Sequence, residues 1–392
     1  MSSPAIAIKL PTWPHFAEDE ISAVADVLRS GKVNYWTGTE GRQFEQEWAS
    51  YVGTKHGIAI MNGTVTMELA LIALGIGPGD EVIIPPRTFM ATATAVMVRG
   101  AVPVFADVDR DSGCITAASI SAVISPRTRA VIPVHLGGWP CDMKAILDLC
   151  KPHGIAVIED CAQAHGATIA GKSVGSFGLI NSWSFCQDKI MTLGGEGGAI
   201  TVDDDELWAR MWAYKDHGKS YDAVYNRPHA PGFRWVNEGI GTNWRLTEMQ
   251  SVLARAQLRK LPEWSLLRRR NATILNSRLS SCLRVPLPPA ECEHAYYRWY
   301  GYLDRPLKDG WTRERICDTI SERGVWCQVG SCGEIYLEKA FDGTGYRPSE
   351  RLTAARELGD SSICLLVHPT LSEGNMQEMA DVVESVCVEA IC

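Results

Sequence analysis

The sequence predicts an α/β protein. A large unit is expected around a mostly parallel seven-stranded sheet between helices, followed by a smaller C-terminal α/β unit. Three observations carry this prediction. Seven short apolar runs lie between residues 57 and 202. Several are continuous and β-branched rather than alternating, as in strands buried on both faces. Helix-like segments separate most of them, and a repeated strand–helix order builds layered α/β folds.

Taken in order, Ala17 to Arg29 has an amphipathic helical pattern ended by Ser30-Gly31, and a second helix is expected from Arg42 to Tyr51. The seven strand candidates are Gly57–Met61, Val82–Ile84, Val102–Phe105, Ala130–Val134, Ala156–Ile158, Trp183–Phe185 and Ala199–Val202. Helices are expected over 64–74, 88–99, 115–124 and 141–151. After about residue 245 the pattern changes. A long helix is expected from Thr247 to Leu279, with Pro262 bending or breaking it. Beyond it come a strand near 294–303, a helix from Arg313 to Arg323, a loop-rich stretch to about 350 and two terminal helices. At 392 residues the chain is long enough for two units, placed at 1–257 and 258–392.

Composition narrows the function classes. Hydrophobic residues make up 46% and charged residues 21%, as in a soluble globular protein. The formal net charge is -8 with no basic block, so nucleic-acid binding lacks its electrostatic support. No apolar stretch approaches the roughly 20 residues of a membrane span. Met1-Ser2-Ser3-Pro4 has no secretory leader pattern, and a cytoplasmic location is expected. The thirteen cysteines are scattered without metal or redox spacing, so free thiols, many of them buried, and no metal site are expected.

The chemistry gathers at two residues. Asp160 ends the apolar run Ile155-Ala156-Val157-Ile158-Glu159, and Lys189 lies in a polar loop before Gly194-Gly195-Glu196-Gly197-Gly198. A strand-end acid with such a lysine is what pyridoxal phosphate chemistry requires. The amine forms a Schiff base with the cofactor aldehyde, and the acid keeps the pyridine nitrogen protonated. Asn62-Gly63-Thr64 sits where a strand turns into a helix, whose free N–H groups suit an anion. Phe89 follows a strand and can stack on a flat ring at the sheet's ligand-binding edge. Gln163 lies three residues past Asp160, and Ser184 ends another apolar run. Singly, each reads equally well as something ordinary: an N-cap threonine, a core phenylalanine, an acidic cap, a surface lysine. Their order along one sheet makes the signal.

These motifs resemble those of the DegT/DnrJ/StrS sugar aminotransferases. The resemblance runs through Asn62-Gly63-Thr64, Phe89-Met90-Ala91-Thr92-Ala93, Gly100 to Asp109, Pro133-Val134-His135-Leu136, Glu159 to Gly166, Ser184 to Gly198 and Gly241 to Glu248. It implies the pyridoxal-phosphate fold type I of aspartate aminotransferase and a homodimer. It also implies roles: Lys189 as Schiff-base lysine and proton carrier, Asp160 at the pyridinium nitrogen and Gln163 at the ring hydroxyl. Gly63, Thr64 and Ser184 would hold the phosphate, Phe89 would cover the ring, and Asn243 would reach the neighbouring subunit's cofactor. L-glutamate would be the amino donor and a nucleotide-linked keto sugar the acceptor, giving an amino sugar for polysaccharide or secondary metabolism.

Two departures matter. Val65-Thr66-Met67 replaces a smaller apolar run, which leaves the backbone phosphate contact intact. Cys186-Gln187-Asp188 before the lysine is reminiscent of the aminohydroxybenzoate synthase branch, so aromatisation of that type and amination of a cyclitol ketone stay open as alternatives. The deoxygenating dehydratases of the family carry histidine in place of this lysine, so Lys189 speaks for amino transfer. A nicotinamide dehydrogenase is disfavoured because no Gly-x-Gly-x-x-Gly follows the first strand. Asn34 to Gly38 and His294 to Tyr300 are candidate walls of a substrate cleft.

Overall fold

The computed structural model describes residues 8–229, 231–232 and 234–392. Met1 to Pro4, considered above as a leader, lie outside the described residues. The large sheet contains β1 (His56–Ile60), β2 (Glu81–Ile84), β3 (Val102–Phe105), β4 (Thr128–Val131), β5 (Ala156–Asp160), β6 (Ile180–Ser184) and β7 (Gly198–Val202). Their order is β1-β7-β6-β5-β4-β2-β3. All neighbours are parallel except β7, which runs antiparallel to both β1 and β6. The expected mostly parallel seven-stranded sheet is therefore present. Residues of β2, β6 and β7 are buried throughout, as in strands covered on both faces, and β6 carries Asn181, Ser182 and Ser184 among its buried residues.

The expected run 130–134 is strand only as far as Val131. Past it, Val134 forms a single parallel bridge to Asp160, which draws the two strand ends together. Helices Gly63–Ala73 and Met90–Val98 follow β1 and β2 and start at the same sheet edge. The first begins at Asn62, whose side chain accepts hydrogen bonds from the N–H groups of Thr64 and Val65 at 3.1 Å each.

The long helix Glu248–Leu279 runs through Pro262 without interruption, so of the expected bend or break the break does not occur. A proline removes one ladder hydrogen bond, but the turns around it are anchored by burial of Leu258, Leu261 and Ser265. This helix crosses the position expected as a boundary. Ala254, Leu258 and Leu261 join a core with Trp48, Trp183 and Phe185, whereas Ala272, Leu275 and Leu279 join one with Trp299, Ile320 and Val383. The C-terminal part holds a three-stranded antiparallel sheet ordered Trp299–Tyr302, Ser362–Leu365, Cys327–Gln328. The last two strands were not expected, because each is short and lies beside a helix or in a loop-rich stretch. No helix among the described residues is long and apolar enough to cross a membrane.

Candidate active site

One cavity of about 590 Å³ opens at the carboxyl ends of the parallel strands. Asn62, Gly63, Thr64, Phe89, Asp160, Gln163, Ser184 and Lys189 all line it. Residues separated by more than a hundred positions meet because β1, β2, β5 and β6 end at one edge.

Asp160 is the last residue of β5 and is buried. Its Oδ1 accepts from the Ala162 N–H at 3.1 Å and its Oδ2 from the Thr92 hydroxyl at 3.0 Å. Thr88 in turn lies 2.8 Å from the Thr92 hydroxyl. Burial pushes the Asp160 carboxyl above its ordinary range, against the Ala162 N–H, the Thr92 hydroxyl and the Lys189 charge. Such an acid is held in one orientation and is ready to pair with a cation. Thr92 was not anticipated, although it follows Phe89 by three residues on one helix.

Lys189 is largely buried, with 14% of its side chain exposed. Its Nζ lies 3.9 Å from Asp188 Oδ1 and 4.7 Å from the centre of the Tyr297 ring. The Asp188 carboxylate also accepts from the Tyr297 hydroxyl and, at 3.1 Å, from Arg298. Burial works to raise the Asp188 carboxyl, but Lys189, Tyr297 and Arg298 outweigh it and hold it below the ordinary value. Trp13 fixes the backbone here by donating to the Lys189 carbonyl at 2.9 Å.

The phosphate end is shaped by absent side chains. A Cβ on Gly63 would lie 2.4 Å from Ser184 Cβ, and one on Gly198 would lie 2.6 Å from the Asn62 carbonyl carbon. Any larger residue would force the helix start away from β6. The helix N-terminus is not as open as expected, since Asn62 already caps two N–H groups. Gly63 and the hydroxyls of Thr64 and Ser184 remain at the cavity. This close-packed, hydroxyl-lined helix start, facing a buried acid and an amine, fits pyridoxal 5′-phosphate.

Gln163 Oε1 accepts from the Gly137 N–H at 2.7 Å, which fixes the amide and leaves its NH2 as donor. Phe89 lines the cavity with 65% of its surface exposed. Asn243 does not line this cavity; it is exposed and bridges to Asp216. Of the candidate walls, Tyr297, Arg298 and Tyr300 reach the cavity and Asn34 to Gly38 do not. Tyr35 is instead buried, donating to Glu45 at 2.9 Å.

Beneath the site, His135 and Glu159 are fully buried and joined at 2.9 Å. Glu159 also accepts from the N–H groups of Gly175, Phe177 and Gly178 at 2.6–2.8 Å. Burial raises its carboxyl, but His135 and these donors outweigh it and hold it below the ordinary value. The Cys141 N–H donates to His135 Nδ1 at 3.0 Å, so Nε2–H is the group given to Glu159. With Cys161 these residues have the spacing of a metal site. Both imidazole nitrogens are already used, however, and the cluster reads as scaffold.

The sequence profile of the DegT/DnrJ/EryC1/StrS aminotransferase family matches residues 14–386. A GDP-perosamine synthase of Caulobacter vibrioides is 43% identical over 359 residues, covering 90% of this chain and 92% of that protein. The UDP-N-acetyl-3-dehydro-alpha-D-glucosamine 3-aminotransferase of Acidithiobacillus ferrooxidans is 36% identical over 373 residues, covering 94% and 95%. The X-ray structure of an aminotransferase from Psychrobacter cryohalolentis is 50% identical with a TM-score of 0.95, covering 97% and 99%.

Proposed function

Because the chain belongs to the DegT/DnrJ/EryC1/StrS aminotransferase family, we propose that it transfers an amino group from L-glutamate to a nucleotide-linked keto sugar, with pyridoxal 5′-phosphate in the cavity. The observation that carries the chemistry is the convergence of the Lys189 amine and the buried Asp160 carboxylate on one cavity. The sugar acceptor rests on the two relatives named above, one a perosamine synthase and the other a 3-aminotransferase of a UDP-linked ketosugar.

When bound, the cofactor supplies an electron sink that lets an amino group leave one carbon and join another. Lys189 anchors it and carries the proton between the reacting carbon and the cofactor. Asp160, fixed by Thr92 and Ala162, places a negative charge opposite the ring nitrogen. Gln163 offers its NH2 to the ring hydroxyl, Phe89 covers a ring face, and Gly63, Thr64 and Ser184 receive the phosphate. We read residues 1–257 as the unit that holds the cofactor and 258–392 as the unit that closes the cleft. The enzyme works as a homodimer in the cytoplasm, with Asn243 serving the neighbour's site.

The deciding experiment supplies L-glutamate and a panel of 3-keto and 4-keto sugars carried on UDP, GDP or dTDP, with an inosose and an aminoshikimate-type substrate as alternatives. An aminated nucleotide sugar is expected. Amination confined to the inosose, or aromatisation of the aminoshikimate-type compound, would overturn the sugar reading.

A further inference from the structure

Arg87 lies just past the end of β2, and its side chain is fully buried. None of its guanidinium nitrogens, Nε, Nη1 or Nη2, has a hydrogen-bond partner, and no carboxylate pairs with it among the described residues. Other buried cations of the chain are met: Lys215 lies 3.6 Å from Glu45, and Arg268 donates to the Tyr296 carbonyl at 3.2 Å. A buried charge without a counter-charge is among the most costly groups a fold can hold. The burial of Arg87 is complete within one chain, so a neighbouring subunit cannot supply that charge.

The surroundings show what can. A methyl group on Gly113, in the turn after β3, would sit 3.7 Å from Nε. One on Gly359, in the helix Thr353–Ser361, would sit 3.9 Å from Nη1. Leu136 and Leu358, which flank Gly113, belong to one apolar core with Ile83 and Tyr302. The guanidinium is therefore set where the large sheet and the C-terminal part share a core. On the Gly113 side the methyl position is crowded by Leu136 at 3.0 Å, whereas on the Gly359 side the nearest atom is the Gly333 Cα at 3.3 Å. The missing side chain of Gly359 thus leaves room of methyl size against Nη1. A chloride ion is of similar size, and it can stand nearer the nitrogen, and so further from Gly333, than a methyl group fixed to Gly359. A water molecule would satisfy the N–H groups but not the charge. A tetrahedral oxyanion is too large for so closed a place.

We propose that a halide-sized monovalent anion, such as chloride, binds Arg87 beside Gly359 and completes the docking of the C-terminal part on the large sheet. The proposal goes beyond the aminotransferase reading and does not depend on the substrate.

The test is the denaturation midpoint of the cofactor-loaded enzyme in sodium chloride and in sodium gluconate, whose anion is too large for the site, at one ionic strength so that screening is equal. The wild-type midpoint is expected to rise as chloride replaces gluconate. Arg87→Met keeps bulk without charge and should lose this rise. Gly359→Ala keeps the charge but fills the room, and should need at least about ten-fold more chloride for the same rise. In bromide-soaked crystals of the wild type, an anomalous peak is expected beside Arg87 Nη1. Equal midpoints in chloride and gluconate, an undiminished rise in Arg87→Met, or no bromide at this guanidinium overturns the proposal. If Arg87→Met does not fold, Gly359→Ala and the bromide peak decide.

Discussion

Gly63 and Ser184 approach so closely that a methyl group on the glycine would lie 2.4 Å from the serine Cβ. The contact joins the first turn of the helix after β1 to the end of β6, and both residues line the cavity. Gly63→Ala must therefore push these elements apart where the phosphate is to be held. We expect at least a ten-fold weaker affinity for pyridoxal phosphate and about 1–3 kcal/mol of lost stability. Fluorescence titration of the apoenzyme and urea unfolding measure the two, and an unaltered affinity would argue against a phosphate site here.

Lys189→Ala should abolish the visible absorbance of the cofactor-loaded enzyme, because no amine remains to join the aldehyde. Asp160→Asn should retain cofactor but lose about 10²–10³-fold in kcat, as removal of a preorganised charge does. Thr92→Val removes one of the two groups orienting Asp160. Its loss should be smaller, about ten-fold, with a shifted pH dependence of the absorbance band. Full activity in Asp160→Asn would remove the acid from the proposed mechanism.

Glu159→Ala should act on the scaffold. The change strands His135 and three backbone N–H groups in a fully buried place. A cost of about 3–5 kcal/mol is expected, read as a lowered denaturation midpoint. A midpoint within experimental error of the wild type would contradict this reading.

Acid should weaken the fold before its carboxylates titrate. Burial lowers His165, His294 and His368 from 6.5 to about 3, with the Lys189 and Arg268 charges adding to this at His165. Between these limits the unfolded chain binds more protons than the native one, so stability rises with pH and is lost as pH falls. Each histidine contributes up to about 1.4 kcal/mol per pH unit in that window. Asp160 and Glu45, raised by burial, act in the opposite sense. The histidine share is therefore read by comparing the wild type with His294→Phe from pH 7 to 5, where the variant should show a shallower slope. Parallel slopes would rule out a titrating contribution from His294.

If Asn243 serves the neighbouring subunit, two inactive variants should complement each other. In a mixed dimer of Lys189→Ala and Asn243→Ala, one site has both residues intact. Random mixing should then recover about one quarter of wild-type activity. No recovery would place the action of Asn243 within its own chain.

Much of this was legible in the sequence because parallel strands end at one edge. Once Asp160 and Ser184 are placed at strand ends and Gly63 and Phe89 just beyond them, their convergence follows from topology. What escaped depends on side-chain direction across long separations. Tyr297 meets Asp188, and Arg298 joins them, across more than a hundred residues with no periodic signal. The uninterrupted helix at Pro262 also escaped, because burial on both sides of the proline outweighs a local preference. Asn34 to Gly38 looked like a cleft wall because it is polar and aromatic, yet Tyr35 is drawn inward by Glu45.

Glu159 and Asp160 are neighbours in the chain, and the pleat of β5 sends them to opposite sides of the sheet. One acid is sealed among four donors, the His135 ring and three backbone N–H groups, and the other looks into the cavity. The two kinds of failure are thereby assigned to adjacent codons. On the proposed mechanism, an alteration at 159 threatens whether the molecule persists, and an alteration at 160 changes what it can do while it persists. Such a strand lets reactivity be retuned by single replacements at the cavity-facing position, with the architecture beneath left undisturbed.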